Sequence, residues 1–188
     1  MHLENTDKQL IQDVIEGDKS AFRLLYKKYS KALLLICLRY VKARPDAEDL
    51  LQESFIKIYK ALKSYDHAKS VFYTWSKRIV INECLQHLRK KKNELDFDLI
   101  SEYELDEAVV DESQEHLSLK DLTELIQKLP KGYRTVFNLY VVDGYKHQDI
   151  SNILDISEST SKSQLRKAKR MLQGLIKKKD LRFTNSYA

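Results

Sequence analysis

Turn-forming residues are scarce in this chain, with four glycines and two prolines in 188 residues. A sheet needs frequent tight turns, and turns draw on those residues, so the shortage argues against β architecture and predicts an all-α fold. Cysteine is nearly absent too. Cys37 and Cys84 stand apart in helical patterns without metal-ligand spacing, which predicts two reduced core thiols rather than a disulfide framework. No apolar run approaches the roughly 20 residues that span a bilayer. The longest, Ala32 to Leu38, is flanked by charge and reads as a buried helical turn. The opening Met1-His2-Leu3-Glu4 lacks the basic-then-apolar order of a secretory signal. These absences predict a cytoplasmic protein without membrane insertion.

What the chain has is charge, unevenly placed. Residues 1–92 carry a net +8, residues 93–117 carry ten acids and no Lys or Arg, and residues 118–188 carry a net +7. Basic blocks attract phosphate and release counterions on binding, although one such block alone is equally compatible with solvated helix faces. The pattern predicts a domain at 1–92, an acidic linker at 93–117, a second domain at 118–180 and a tail at 181–188.

Apolar spacing at three and four predicts the helices. One runs from Leu3 to Glu16 and stops at Gly17. A second, capped by Asp18 or Ser20, reaches Val41 and carries Phe22, Leu25, Tyr26, Tyr29, Leu33, Ile36 and Tyr40. Ala43-Arg44-Pro45 is expected to break the chain before Asp46 caps a third helix, Ala47 to Lys63. A polar loop, Ser64 to Ser70, precedes a fourth helix from Val71 to Lys91. Beyond the linker, helices are expected near Leu119 to Leu129, Lys131 to Val142, His147 to Leu154 and Glu158 to Lys178, with breaks at Pro130, Asp143-Gly144 and Asp155-Ile156-Ser157.

At 100° per residue, the third helix places Ala47, Leu51, Ser54, Phe55, Ile58 and Leu62 on a core stripe. Asp49, Gln52, Glu53, Ile56 and Lys60 fall opposite. An acidic face centred on an outward isoleucine, in a basic domain, suits protein docking, because its carboxylates would repel phosphate. A solvated face with one stray isoleucine is the plain alternative. The segment Asp46 to Phe55 closely resembles the part of region 2 of sigma-70 family factors that docks on the clamp helices of RNA polymerase. That resemblance implies Asp46, Asp49, Gln52, Glu53 and Ile56 as contacts to core polymerase.

On the fourth helix Trp75, Arg78, Asn82, Gln86 and Arg89 share one stripe, whereas Tyr73, Val80, Ile81, Cys84 and Leu88 fall on the expected core side. Arg holds phosphate or guanine, the amides pair with base edges, and an aromatic ring stacks on an unpaired base for roughly 1–3 kcal/mol. A buried Trp75 beside solvated polar groups is the alternative. Phe72-Tyr73-Thr74-Trp75, with Arg78-Ile79 and Asn82, resembles the part of region 2 that melts and reads the −10 element. The resemblance implies a pocket for a flipped base in the preceding loop, lined by Tyr65, Asp66 and Lys69. Phe72 and Tyr73 suit packing as well as DNA contact, and the sequence does not separate the two.

The short helix, tight break and longer basic helix at the end of the chain form a helix-turn-helix pattern. Ser161, Leu165, Ala168, Leu172 and Leu175 make its buried side. Ser159, Lys162, Ser163, Arg166, Arg170 and Gln173 face out, with Lys167 at the edge. Small hydroxyls at the helix start allow close approach to the major groove, and the cations reach phosphate and guanine. A basic amphipathic helix lying on a membrane or a partner is the rival reading. Leu129-Pro130 to Leu172 resembles region 4, which binds the −35 element. This implies Ser159, Thr160, Lys162, Ser163, Arg166, Lys167 and Arg170 as contacts. Two residues depart from the pattern: Asp155 stands where glycine is frequent, and Ser161 where an apolar residue is usual, which predicts looser packing.

The two resemblances cover most of 18–92 and 118–176 in the expected order, without region 3 or a long N-terminal extension. They imply the compact extracytoplasmic-function (ECF) group, with core RNA polymerase and promoter DNA as partners and an anti-sigma factor as a candidate one. The family's linker threads polymerase channels, which the acidic strip would suit. No Walker loop, HExxH, clustered zinc ligands or triad is visible, so neither catalysis, cofactor, metal nor small-molecule substrate is expected. His67, His87 and His147 read as structural or surface residues. The competing readings are a helix-turn-helix regulator that acts without polymerase and a metal-dependent nuclease using Asp46, Glu48 and Asp49.

Overall fold

The computed structural model describes residues 2–92 and 119–185, and every regular element in them is helical. The chain divides into two compact units, the first within 1–96 and the second within 97–188. The acidic strip 93–117 lies outside the described residues.

In the first unit, α1 (His2–Ile15) ends at Gly17, whose φ of +103° suits a residue without a Cβ. Asp18 caps α2 (Lys19–Tyr40), its carboxylate accepting the Ser20 N–H at 2.7 Å. The next helix, α3 (Arg44–Ala61), starts three residues earlier than its pattern predicts. Pro45 sits inside the first turn rather than breaking the chain, because the N–H it lacks would have no helical partner there. Ala43 therefore occupies the cap position, and Asp46 belongs to the first turn. A 3-10 turn, Leu62–Ser64, and a loop lead to α4 (Phe72–Lys92).

Helix α2 packs against α1, α3 and α4, and α3 also packs on α4. Leu25, Leu33, Ile36, Leu51, Phe55, Ile58, Val80 and Ile81 fill the core between them. Cys37 lies against Cys84 and Tyr29 against Phe72, so α2 and α4 run in the same direction. Both thiols are free and buried. A hydrogen bond to Cys37, in which the Cys84 thiol donates, and burial push that thiol far above its ordinary pKa, which keeps it neutral and inert.

In the second unit, α5 (Leu119–Lys128) is followed by α6 (Lys131–Phe137). The helix expected to continue to Val142 does so through a π-helical turn, Asn138–Val142, in which the Asp143 N–H reaches back to the Asn138 carbonyl. Gly144 turns the chain at a φ of +77° into α7 (His147–Leu154), and Asp155 leads into α8 (Glu158–Asn185). Helix α8 extends past the expected end near Lys178, so most of the expected tail is helical. Helices α5, α6 and α7 all pack on α8, around Ile126, Leu129, Val136, Leu139, Ile150, Leu165 and Ala168.

Candidate polymerase and nucleic-acid interfaces

The α3 core stripe is buried as its spacing requires, and Asp49, Gln52, Glu53 and Ile56 face out, Ile56 at 55% exposure. Asp46 is half-buried, its carboxylate 3.9 Å from His87 Nε2 on α4, which sets it at the edge of this face. Beside Ile56 an apolar groove of about 480 Å³ opens between α2 and α3, lined by Phe22, Tyr26, Gln52, Phe55, Ile56 and Tyr59. Its rings interlock, with Phe22 5.1 Å from Tyr59 and Tyr26 4.5 Å from Phe55. Tyr59 was not singled out from the sequence. Its place three residues after Ile56, on the same outward side, was the signal.

On α4 the polar stripe is presented as its period predicts. Arg78, Asn82, Gln86 and Arg89 are exposed, and Trp75 at the head of the stripe is half-buried. The two rings before Trp75, which suit packing and DNA contact alike in the sequence, are separated by the structure. Phe72 is buried at 3% exposure, among Tyr29, Tyr65 and Trp75, and is a core residue rather than a DNA contact in this conformation. Tyr73, expected in the core, is exposed and stacks on Tyr29. At a helix start the covering neighbour is a loop, and here the loop folds back over Phe72.

That loop is ordered by its own polar groups. The Tyr65 hydroxyl donates to the Ser70 carbonyl at 2.9 Å, and the Tyr65 ring lies 5.1 Å from Trp75. The Ala68 N–H donates to the Asp66 carboxylate at 2.9 Å, and Lys69 stands 3.5 Å from it. The backbone hydrogen bond from Ala68 holds Asp66 below the usual carboxylate range, although partial burial opposes it. Burial raises the Tyr65 phenol, keeping it a neutral donor. Tyr65, Asp66, Lys69 and Trp75 thus converge at one end of α4, offering rings to stack on and polar groups of both signs to select an edge.

In the second unit Ser159, Lys162, Ser163, Arg166, Lys167 and Arg170 all face outward on α8, and Thr160 is half-buried. The hydroxyls at the start of α8 are already engaged. The Ser157 hydroxyl accepts the Thr160 N–H at 3.0 Å and lies 2.8 Å from the hydroxyls of Ser159 and Thr160. Ser163 donates to the Thr160 carbonyl, and Lys162 stands 3.6 Å from Glu158 one turn back. These bonds hold a rigid first turn with a dense surface of small polar groups. Ser161 does not loosen the packing as expected. It is wholly buried, with its hydroxyl 2.8 Å from Nδ1 of His147, whose ring stacks on Tyr140 at 4.3 Å. Behind the motif, buried Arg134 donates from Nη1 to the carbonyls of Gln127 and Leu129, closing the end of α5 onto α6.

Two family models match this chain: Sigma-70 region 2 over residues 25–94 and Sigma-70, region 4 over residues 119–172. The RNA polymerase sigma-H factor of Pseudomonas aeruginosa is 36% identical over 180 residues, covering 90% of this chain and 93% of that protein. The ECF RNA polymerase sigma-E factor of Haemophilus influenzae is 32% identical over 185 residues, covering 91% and 95%. Among solved structures, the sigma factor RpoE crystallised with the anti-sigma factor NepR from Bartonella quintana shares the fold. Its TM-score is 0.50 at 23% identity, over 83% of this chain and 96% of that one. The chain belongs to the sigma-70 family and is an RNA polymerase sigma factor of the extracytoplasmic-function type.

Proposed function

We propose that three surfaces of this sigma factor divide the work of initiation. The α3 face of Asp49, Gln52, Glu53 and Ile56, with Asp46 at its edge, holds core polymerase. The rings and polar groups of Tyr65, Asp66, Lys69, Tyr73 and Trp75, continued by Arg78, Asn82, Gln86 and Arg89, take the −10 element as it melts. The outward side of α8, from Ser159 to Arg170, holds the duplex −35 element. The observation that carries this reading is the pairing of α3 and α4: an acidic, apolar-centred face and a guanidinium–amide stripe stand on helices that pack directly on each other. Polymerase bound to one helix then lies beside the DNA read by the other. Promoter binding and opening need no reacting group from this chain, which acts as an initiation factor without catalysis of its own, in the cytoplasm.

Run-off transcription with core polymerase on genomic fragments tests the assignment. Asp49→Arg and Glu53→Arg are expected to weaken capture of core polymerase. Asn82→Ala is expected to slow opening while duplex binding persists, and Arg166→Ala to weaken upstream recognition. Loss of none of these functions would overturn the residue assignments.

A further inference from the structure

One buried carboxylate lies outside the three surfaces. Glu83 on α4 is 5% exposed, and its Oε1 meets Lys57 Nζ of α3 at 2.5 Å. A carboxylate removed from water needs such a partner, so the pair anchors the lysine at the α3–α4 seam. From there the Lys57 ammonium also reaches Gln86 Oε1, one turn along α4, at 3.5 Å. Lysine has donors and no acceptor, so the side of the Gln86 amide that faces it must be the oxygen. That leaves the NH₂ group as the end of this exposed side chain open to an outside partner, on the same stripe as Asn82 and Arg89.

We propose that Lys57 is a positioning residue for promoter readout: held by Glu83, it turns Gln86 so that this amide meets DNA as a donor. The inference rests on the reading of Gln86 as a −10 contact and adds the polarity of that contact. A glutamine free to use both ends matches adenine, accepting from N6–H and donating to N7. A glutamine whose oxygen is engaged by Lys57 favours bases that present acceptors alone, the O6 and N7 of guanine or the O4 of thymine. Because Lys57 directly follows Ile56 of the docking face, it also links the helix that holds polymerase to the helix that reads DNA.

The test is open-complex formation by the full-length factor and core polymerase, at saturating factor, on a promoter library randomised through the −10 element. Lys57→Met is expected to shift the guanine-over-adenine ratio at a single base pair toward adenine, by about tenfold, the scale of one bidentate contact. Lys57→Arg, which keeps a donor-only cation in reach, is expected to retain the wild-type profile. Since Lys57→Met strands the Glu83 carboxylate, Lys57→Met combined with Glu83→Leu provides a variant without an unpaired buried charge, and the same shift is expected in it. A lysine that merely stabilised the fold, or that touched phosphate, would lower opening on every sequence alike, and that uniform loss overturns the proposal. Gln86→Ala separates the two layers. A profile changed by Gln86→Ala but not by either Lys57→Met variant overturns the positioning role alone. A profile unchanged by Gln86→Ala removes Gln86 from the readout and the proposal with it.

Discussion

Asp155 sits in the left-handed region, at φ 54° and ψ 53°, where the chain turns from α7 into α8. Glycine enters this region without strain, and Asp enters it more readily than most residues. A β-branched side chain does not. Asp155→Val is expected to destabilise the second unit by roughly 1–2 kcal/mol, and Asp155→Gly to leave it as stable or slightly more so, read from urea unfolding by circular dichroism. Tyr29 poses a different single-residue question. Its hydroxyl donates to the Asp7 carboxylate, and burial, with that bond, raises its pKa above the ordinary tyrosine value. The folded state therefore holds this proton more tightly than the unfolded chain does. The stability it contributes is fully present below about pH 10, the unfolded tyrosine value, and is lost as pH rises through the raised one. Tyr65, raised by burial, acts in the same direction. Tyr29→Phe is expected to flatten the alkaline decline in stability, followed through the fluorescence of Trp75, the only tryptophan.

At the scale of elements, periodicity carried most of the fold. Gly17, Gly144 and Asp155 stop helices where they were expected to, and the stripes on α3, α4 and α8 face as a 100° step places them. What periodicity could not supply were the element ends. Pro45 opens a helix instead of breaking one, and Phe72 rather than Tyr73 is buried because a folded-back loop, not a helix, covers the start of α4. The junction of α5 and α6 has its own physical logic. Arg134 has a guanidinium nitrogen within 3.3 Å of two carbonyls at the end of α5, which would otherwise lack helical partners. Arg134→Ala removes both bonds, the one to Leu129 being buried, with an expected cost of roughly 2–3 kcal/mol. The loss would show in circular dichroism, because Trp75 belongs to the first unit.

For the whole molecule, charge sets the conditions of function. Two basic blocks flank a strip of ten acids, so binding to promoter DNA is expected to weaken as salt rises. Removing the Arg166 cation should lower the slope of log affinity against log salt concentration by about 1 if it holds a phosphate. The same titration with Arg166→Ala on altered −35 sequences separates a phosphate contact, which weakens all sequences alike, from a guanine contact, which relaxes one position. Replacing about half of the acids in 93–117 by Gln or Asn is expected to impair initiation or raise DNA binding by the free factor. No change in either would count against a role for that charge.

Composition and spacing alone determined that this chain is helical, that its halves are basic around an acidic strip, and which faces of three helices look outward. Those properties depend on residue type and on neighbours three and four positions away, so they are written locally. Only the tertiary structure decided that Glu83 is buried against Lys57, that Ser161 is tied to His147, that Phe72 rather than Tyr73 enters the core, and that Ile56 borders an aromatic groove reaching to Phe22. Each of these joins residues from different elements. A side chain's burial and hydrogen-bond partners depend on which surfaces the chain brings together, and that information lies in the packing of helices rather than in the period of any one of them.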